Sequence, residues 1–114
     1  MAGITSPKTL TTAGTRQPLV AAADYTENGV VMPSRRYCKS CAIRLENIAQ
    51  IGYIGLQPPA GKSDTVSSTV YNVVLDSVTP EYTIGPFGEG MWIDLGSTYI
   101  DGNTSGMKFI ISTS

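Results

Sequence analysis

Few residues of this chain carry chemistry, and they fall in short stretches. Cys38-Lys39-Ser40-Cys41 has the Cys-x-x-Cys spacing. That spacing serves thiol exchange where the first cysteine opens a helix, whose dipole lowers its pKa, or supplies half of a tetrahedral zinc site. The flanking residues read as a strand, in which side chains three apart point to opposite faces, so the pair is not expected to close. Zinc wants four ligands, and the chain has 2 Cys and 0 His. Structural thiols are the expectation. Gly55 to Ser63 resembles a phosphate-cradling loop ending in Gly61-Lys62-Ser63, but five residues separate its glycines where four are required. Two of those five are prolines, which have no N–H to offer phosphate, so a surface loop is expected. Asp94 and Asp101 are a carboxylate pair that could support hydrolysis. Both stand beside predicted turns, where acidic residues serve the backbone. Without histidine the usual general base is missing. No set of residues supplies nucleophile, base and oxyanion donors together, so neither enzymatic activity nor a cofactor is expected.

Residues suited to contacts are more numerous. Arg35, Arg36, Lys39 and Arg44 form a short basic cluster around Tyr37, with Lys8 and Arg16 upstream. Residues 1–45 carry +4 and residues 46–114 carry −5, within a net charge of −1. Such asymmetry steers one subunit onto the next or onto an acidic partner; chance scatter over solvated faces is the plain alternative. A few cations in an acidic protein are a weak nucleic-acid footprint, so no direct nucleic-acid partner is expected. Lys8, Arg16, Arg35, Arg36, Lys39 and Arg44 are therefore candidate assembly contacts. Tyr53, Trp92 and Tyr99 are candidate aromatic contacts. They would either stack on sugars or, as is commoner for aromatics on strands, pack in the core or between subunits.

The elements that must position these residues read as strands. Tyr37, Cys41, Ile43 and Leu45 alternate with polar or small residues, although Cys41 to Ile51 also admits a short amphipathic helix. Gln50 to Leu56 places two glycines, Gly52 and Gly55, in a strand, a sign of a bulge or close backbone approach. Val66 to Leu75 is apolar on both sides and is expected as a strand buried on both faces. Short strands follow at Glu81–Ile84, Met91–Leu95 and Thr98–Ile100. Asp101-Gly102-Asn103 is expected as a turn, and Met107–Ser112 as a closing strand with Met107, Phe109 and Ile111 inward. Recurrent short strands separated by turn residues indicate an all-β protein, an antiparallel β-sandwich or jelly-roll-like domain. Residues 1–34 differ, being rich in Thr, Ala, Gly, Ser and Pro with sparse large apolar side chains and an Asn28-Gly29 turn signal. They are expected as an extended N-terminal arm that orders along a partner, leaving residues 35–114 as the β-domain. A core of that size usually gains from oligomerisation. No apolar run has the length of a membrane span, and Met1 to Pro7 lacks a secretory pattern. The expectation is a protein that needs neither membrane nor standard export.

The second half also resembles a known group. Gly52-Tyr53-Ile54-Gly55, the turn Gly85-Pro86-Phe87-Gly88-Glu89-Gly90, the run Trp92 to Gly102 and the final strand together resemble small virion proteins of tailed bacteriophages, including capsid decoration (cement) proteins. Thr9 to Thr15 resembles the arms of such proteins. Cys38 and Cys41 lie outside that pattern, and Phe87 is inserted in its proline–glycine turn. The resemblance implies a β-sandwich or jelly-roll-like fold, often a homotrimer, seated on a capsid shell. The implied partner is the major capsid protein, and the implied location is the virion. The implied mechanism is cementing, in which a protein that binds only the assembled shell stabilises it by linkage. A neck, tail or fibre component and a carbohydrate-binding β-module are the alternatives.

Overall fold

Alternation in Cys41–Leu45 decides the central strand. Cys41, Ile43 and Leu45 are buried while Arg44 is exposed, the period-two pattern of a strand with one covered face. The helical alternative is excluded there, and the chain turns over residues 46–50. The computed structural model describes residues 5–57, 61–86 and 90–113. Along them run β1 (Thr5–Thr9), β2 (Gln17–Pro18), a helical turn α1 (Ala22–Tyr25), β3 (Thr26–Glu27), β4 (Val30–Val31) and a second helical turn α2 (Pro33–Arg36). Then come β5 (Tyr37–Cys38), β6 (Cys41–Leu45), β7 (Gly52–Gly55), β8 (Val73–Leu75) and β9 (Glu81–Ile84). β10 (Ile93–Asp94), a 3₁₀ turn (Leu95–Ser97), β11 (Tyr99–Gly102) and β12 (Lys108–Thr113) complete the series. The protein is all-β.

Two four-stranded antiparallel sheets dominate, in the orders β1-β12-β6-β9 and β2-β11-β7-β8, with two-stranded ladders β10-β5 and β3-β4 beside them. Both sheets feed one core. Ile43, Leu45, Ile84, Phe109 and Ile111 come from the first sheet, and Ile54, Leu75 and Ile100 from the second. Gly52 on β7 is where the two meet closely. A Cβ there would strike the Phe109 ring, with Cζ at 2.8 Å, and would lie 3.1 Å from Leu45 Cδ2. The glycines of the Gly-Tyr-Ile-Gly strand thus serve close approach.

Residues 5–20, the described start of the segment expected as an arm, lie within this architecture. β1 pairs with β12 from Thr5↔Ser112 to Thr9↔Lys108, and β2 pairs with β11. Leu10, Leu19 and Val20 are at most 5% exposed and belong to the common core. Their irregular spacing reflects insertion at turns instead of along a strand.

Three expected elements differ. The Val66–Leu75 strand is confined to Val73–Leu75, with only Leu75 fully buried. Upstream, Ser67 Oγ accepts from the Thr69 and Val70 N–H groups, and Asn72 Oδ1 accepts from those of Leu56 and Lys62. Such local side-chain bonds compete with a ladder. The Met91–Leu95 strand shortens to Ile93–Asp94. Asp94 Oδ1 accepts from the Gly96 N–H and turns the chain into the 3₁₀ segment, while Met91 is exposed. Asp101-Gly102 is not a turn but the end of β11, and the reversal follows over residues 103–106.

Three of the four outer edges of the two large sheets, all but β9, are short or interrupted. Pro7 and Lys8 sit in edge strand β1; β2 has two residues, one of them Pro18; β8 has three. Lys8 is directly opposite the inward-facing Phe109, so this edge points a cation inward.

Candidate functional site

The helical turn Pro33–Arg36 starts on proline, whose fixed φ suits a first helical position, and delivers two arginines at its end. Arg35 Nη2 meets Glu27 Oε2 at 3.0 Å on the β3-β4 hairpin. Arg36 reaches Asp94 with a two-pronged contact, Nε–Oδ1 2.8 Å and Nη2–Oδ2 3.0 Å. Its guanidinium also lies over two rings, 4.9 Å from the Tyr25 centroid and 5.4 Å from that of Tyr37. Planar Arg suits both roles at once. Ser97 Oγ donates to Asp94 Oδ2 at 2.9 Å. Burial alone would raise the Asp94 carboxyl, but hydrogen bonds from Arg36 and Ser97, the guanidinium charge and the Gly96 N–H together hold it below the usual carboxylate range. The same pair raises the Arg36 guanidinium above its ordinary value.

The remaining cations are dispersed. Lys8 Nζ lies 3.6 Å from Asp24 Oδ2. Arg16 lies over the Tyr99 ring at 5.2 Å. Lys39 Nζ sits 4.0 Å above the Trp92 ring and donates to the Met91 carbonyl at 2.9 Å. Arg44 is exposed on β6, directly across from Glu81 and Ile110. Lys8, Arg35 and Asp24 rim a depression of about 320 Å³ floored by Val20, Leu95 and Ile111. Arg16, Arg36 and Lys39 thus tie residues 8–39 to the rest of the fold, whereas Lys8 and Arg35 pair within that segment. Exposed ion pairs contribute little, so Lys8→Ala is expected to change unfolding free energy by less than about 1 kcal/mol, read by urea denaturation.

Two of the three candidate aromatics share a surface. Tyr99 pairs with Gly55 and Tyr53 with Asp101, which puts both rings on one face of the second sheet. Tyr53 also packs on Tyr71, with centroids 5.3 Å apart and planes at 30°. Trp92 lies apart, beside the β5-β10 ladder, and is 50% exposed. Sequence reading missed Tyr71 and Tyr25 as ring partners. Tyr25 stands in no alternating stretch, and Tyr71, within the stretch expected as a strand, packs from the loop before β8.

Groups weighed for chemistry make hydrogen bonds within the fold. Asp101 is 1% exposed and accepts from the Gly14 and Gly102 N–H groups through Oδ1. In the Gly55–Ser63 segment, of which residues 58–60 lie outside the described residues, the Gly61, Lys62 and Ser63 N–H groups all donate to protein acceptors. Among the described residues no group of three or more His, Cys, Asp or Glu is placed to hold a metal, and no helix is long and apolar enough to cross a membrane.

The cysteines require a correction. The strand breaks at Lys39-Ser40, so Cys38 ends β5 and Cys41 begins β6. They do not project to opposite faces of one strand. Both are free and buried in the same core. The neighbouring Cys41 thiol, with the Ser40 N–H, pulls the Cys38 pKa down, and the Cys38 thiol and burial push that of Cys41 up.

No protein-family model matches the chain, and neither curated proteins nor solved structures give a match.

Proposed function

We propose that the chain is a structural protein of a bacteriophage virion, of the capsid decoration type, that stabilises a shell by surface contact. The reading includes a sandwich or jelly-roll-like packing of the two sheets, self-association as a trimer, and the major capsid protein as partner. Its main support is the pair of large apolar side chains left in solvent beside the β5-β10 ladder, Met91 at 57% and Trp92 at 50% exposed. The β3-β4 hairpin adds Val30 and Val31, 61% and 43% exposed. Exposed large apolar groups of this kind serve as interaction surfaces, and Trp anchors dominate interface energetics. The sequence resemblance and the all-β architecture agree with it.

Two measurements test the reading. Quantitative mass spectrometry of purified particles should give a copy number equal to the shell protein or a simple fraction of it. A handful of copies would shift the assignment to neck, tail or fibre, and none would end it. Trp92→Ala and Val31→Asp should each weaken attachment to stripped shells about tenfold or more, with melting temperature nearly unchanged, as for exposed substitutions generally. The carbohydrate-binding alternative draws on Tyr53, Tyr71 and Tyr99 and would appear as a glycan signal lost on Tyr53→Ala.

A further inference from the structure

We propose that the open edge of β9 is a docking surface for a second copy of the chain, and that two copies join there as an antiparallel strand pair. Of the outer strands of the two large sheets, β9 alone is both longer than three residues and free of proline. It carries no lysine either, so the commonest guards of a sheet edge are missing from it. The register with β6 says which backbone groups are open. Leu45 donates to the Pro80 carbonyl, which makes those two a hydrogen-bonded pair. Such pairs alternate along an antiparallel ladder, so Tyr82 opposite Ile43 and Ile84 opposite Cys41 bond to β6. Glu81 and Thr83 therefore turn their N–H and C=O groups to the outer edge. Among the described residues none bonds to these groups. Pro80 shares the orientation of Tyr82, so its missing N–H lies on the β6 side and leaves the outer row intact. The row is bounded at both ends. Asp76 takes the Thr79 N–H and C=O, and Gly85 leaves the extended conformation at φ +86°.

The row is complementary to itself, which selects a second copy as the occupant. Glu81 opposite Glu81 would set like charges across a pair, which is destabilising. Thr83 opposite Thr83 would leave each Glu81 facing Gly85, where the strand has ended. Glu81 opposite Thr83 of the second copy satisfies every open group, because both pairs exchange N–H···O bonds in both directions. Tyr82 then lies across from Tyr82 of the second copy in the close, non-hydrogen-bonded position, where aromatic cross-strand pairs are favourable. Tyr82 is half-buried and packs against the core, so this contact extends an apolar surface already present. The product is one continuous sheet made from two four-stranded ones. A row this short pairs weakly in dilute solution and gains where copies are held side by side at high effective concentration. The edge carries none of the side chains on which the proposed shell attachment rests, so the pairing stands apart from it and can link one trimer to the next.

The test uses the full chain. Sedimentation over a concentration series reaching about 1 mM should show a reversible association step. Thr83→Pro removes an N–H that a single copy leaves in solvent, and should weaken that step about tenfold or more. Glu81→Cys and Thr83→Cys read the register directly, and both positions are exposed, so the fold is kept even if Thr83→Pro folds poorly. Mixed together, the two variants should cross-link under mild copper-catalysed oxidation, because hydrogen-bonded partners lie about 5.5 Å apart at Cα, within disulfide reach. Neither variant alone should cross-link, since like positions become diagonal neighbours roughly 7–8 Å apart. Loss of the shell attachment or of the trimer would leave the mixed cross-link in place. A monomer at every concentration, an association step unmoved by Thr83→Pro, a mixture that does not cross-link, or either variant cross-linking with itself would each overturn the proposal. Thr83→Cys that cross-links on purified particles to another protein and never to Glu81→Cys would give the edge to a partner's strand and overturn it as well.

Discussion

Arg36→Ala is expected to destabilise the protein by about 2–4 kcal/mol, a drop in melting temperature of roughly 10–20 °C. The reason is what remains. Asp94 is left with a side chain only 11% exposed and without the guanidinium that held both its oxygens. A buried carboxylate stripped of its partner is far more costly than a solvated one. The figure is set below that for a fully buried pair because the Arg36 side chain is 25% exposed. Tyr25 and Tyr37 also lose the cation over their rings. Arg36→Lys should recover part of the loss, because it restores charge but not the two-pronged contact. A double-mutant cycle with Asp94→Asn should show strong coupling; additive effects would remove the pair from the account.

The same site sets an acid limb. The folded-state pKa of Asp94 is depressed. Its contribution is therefore fully present above the unfolded carboxylate value of about 4 and is lost as pH falls through the lower folded value. In Arg36→Ala, burial acts on the carboxyl without the guanidinium, so the pKa rises. Acid unfolding followed by circular dichroism should then have its midpoint at higher pH than in the wild type. An unmoved midpoint would mean that other carboxylates govern acid stability.

Phe109→Ala should be as damaging, at about 3–5 kcal/mol. The ring is 0% exposed and sits where the two sheets approach at Gly52. Truncation forfeits its transfer free energy and leaves a cavity between sheets that cannot easily collapse. The converse change tests the same contact. Gly52→Ala should cost about 1–3 kcal/mol by overpacking, since its Cβ has no room beside Phe109 and Leu45. Combined with Phe109→Leu, which shortens the obstructing side chain, Gly52→Ala should cost less than it does alone. Urea denaturation of the four chains measures the coupling. Strict additivity would mean that the ring and the glycine do not share that space.

How much of this was legible in the sequence depends on the distance over which each feature is encoded. Cys41–Leu45, Glu81–Ile84 and the inward Met107, Phe109 and Ile111 follow from local alternation and appear as expected. Asn28-Gly29 likewise turns the β3-β4 hairpin with φ of +52° and +77°, the positive values such a loop demands. Leu10, Leu19 and Val20 gave no local signal, because each enters the core from a turn or short strand. Arg36 and Asp94 are 58 residues apart, and no spacing rule joins them. The sequence sets one in a basic cluster and the other beside a turn, with nothing local to pair them. For the thiols the strand premise differs: period-two reasoning takes one continuous strand across Lys39-Ser40, where the chain breaks into β5 and β6, while both cysteines are free and buried.

The sheet edges bear on how copies of this chain behave when crowded. Growth by adding strands needs a long, flat row of free N–H and C=O groups. Here one edge carries a proline that cannot donate and a lysine turned inward, and two others are only two and three residues long. Only β9, Glu81–Ile84, keeps an unbroken outer edge without a proline. Three of the four edges of the two large sheets thus give a crowded neighbour little to extend, and any shared ladder between copies has one short row to start from.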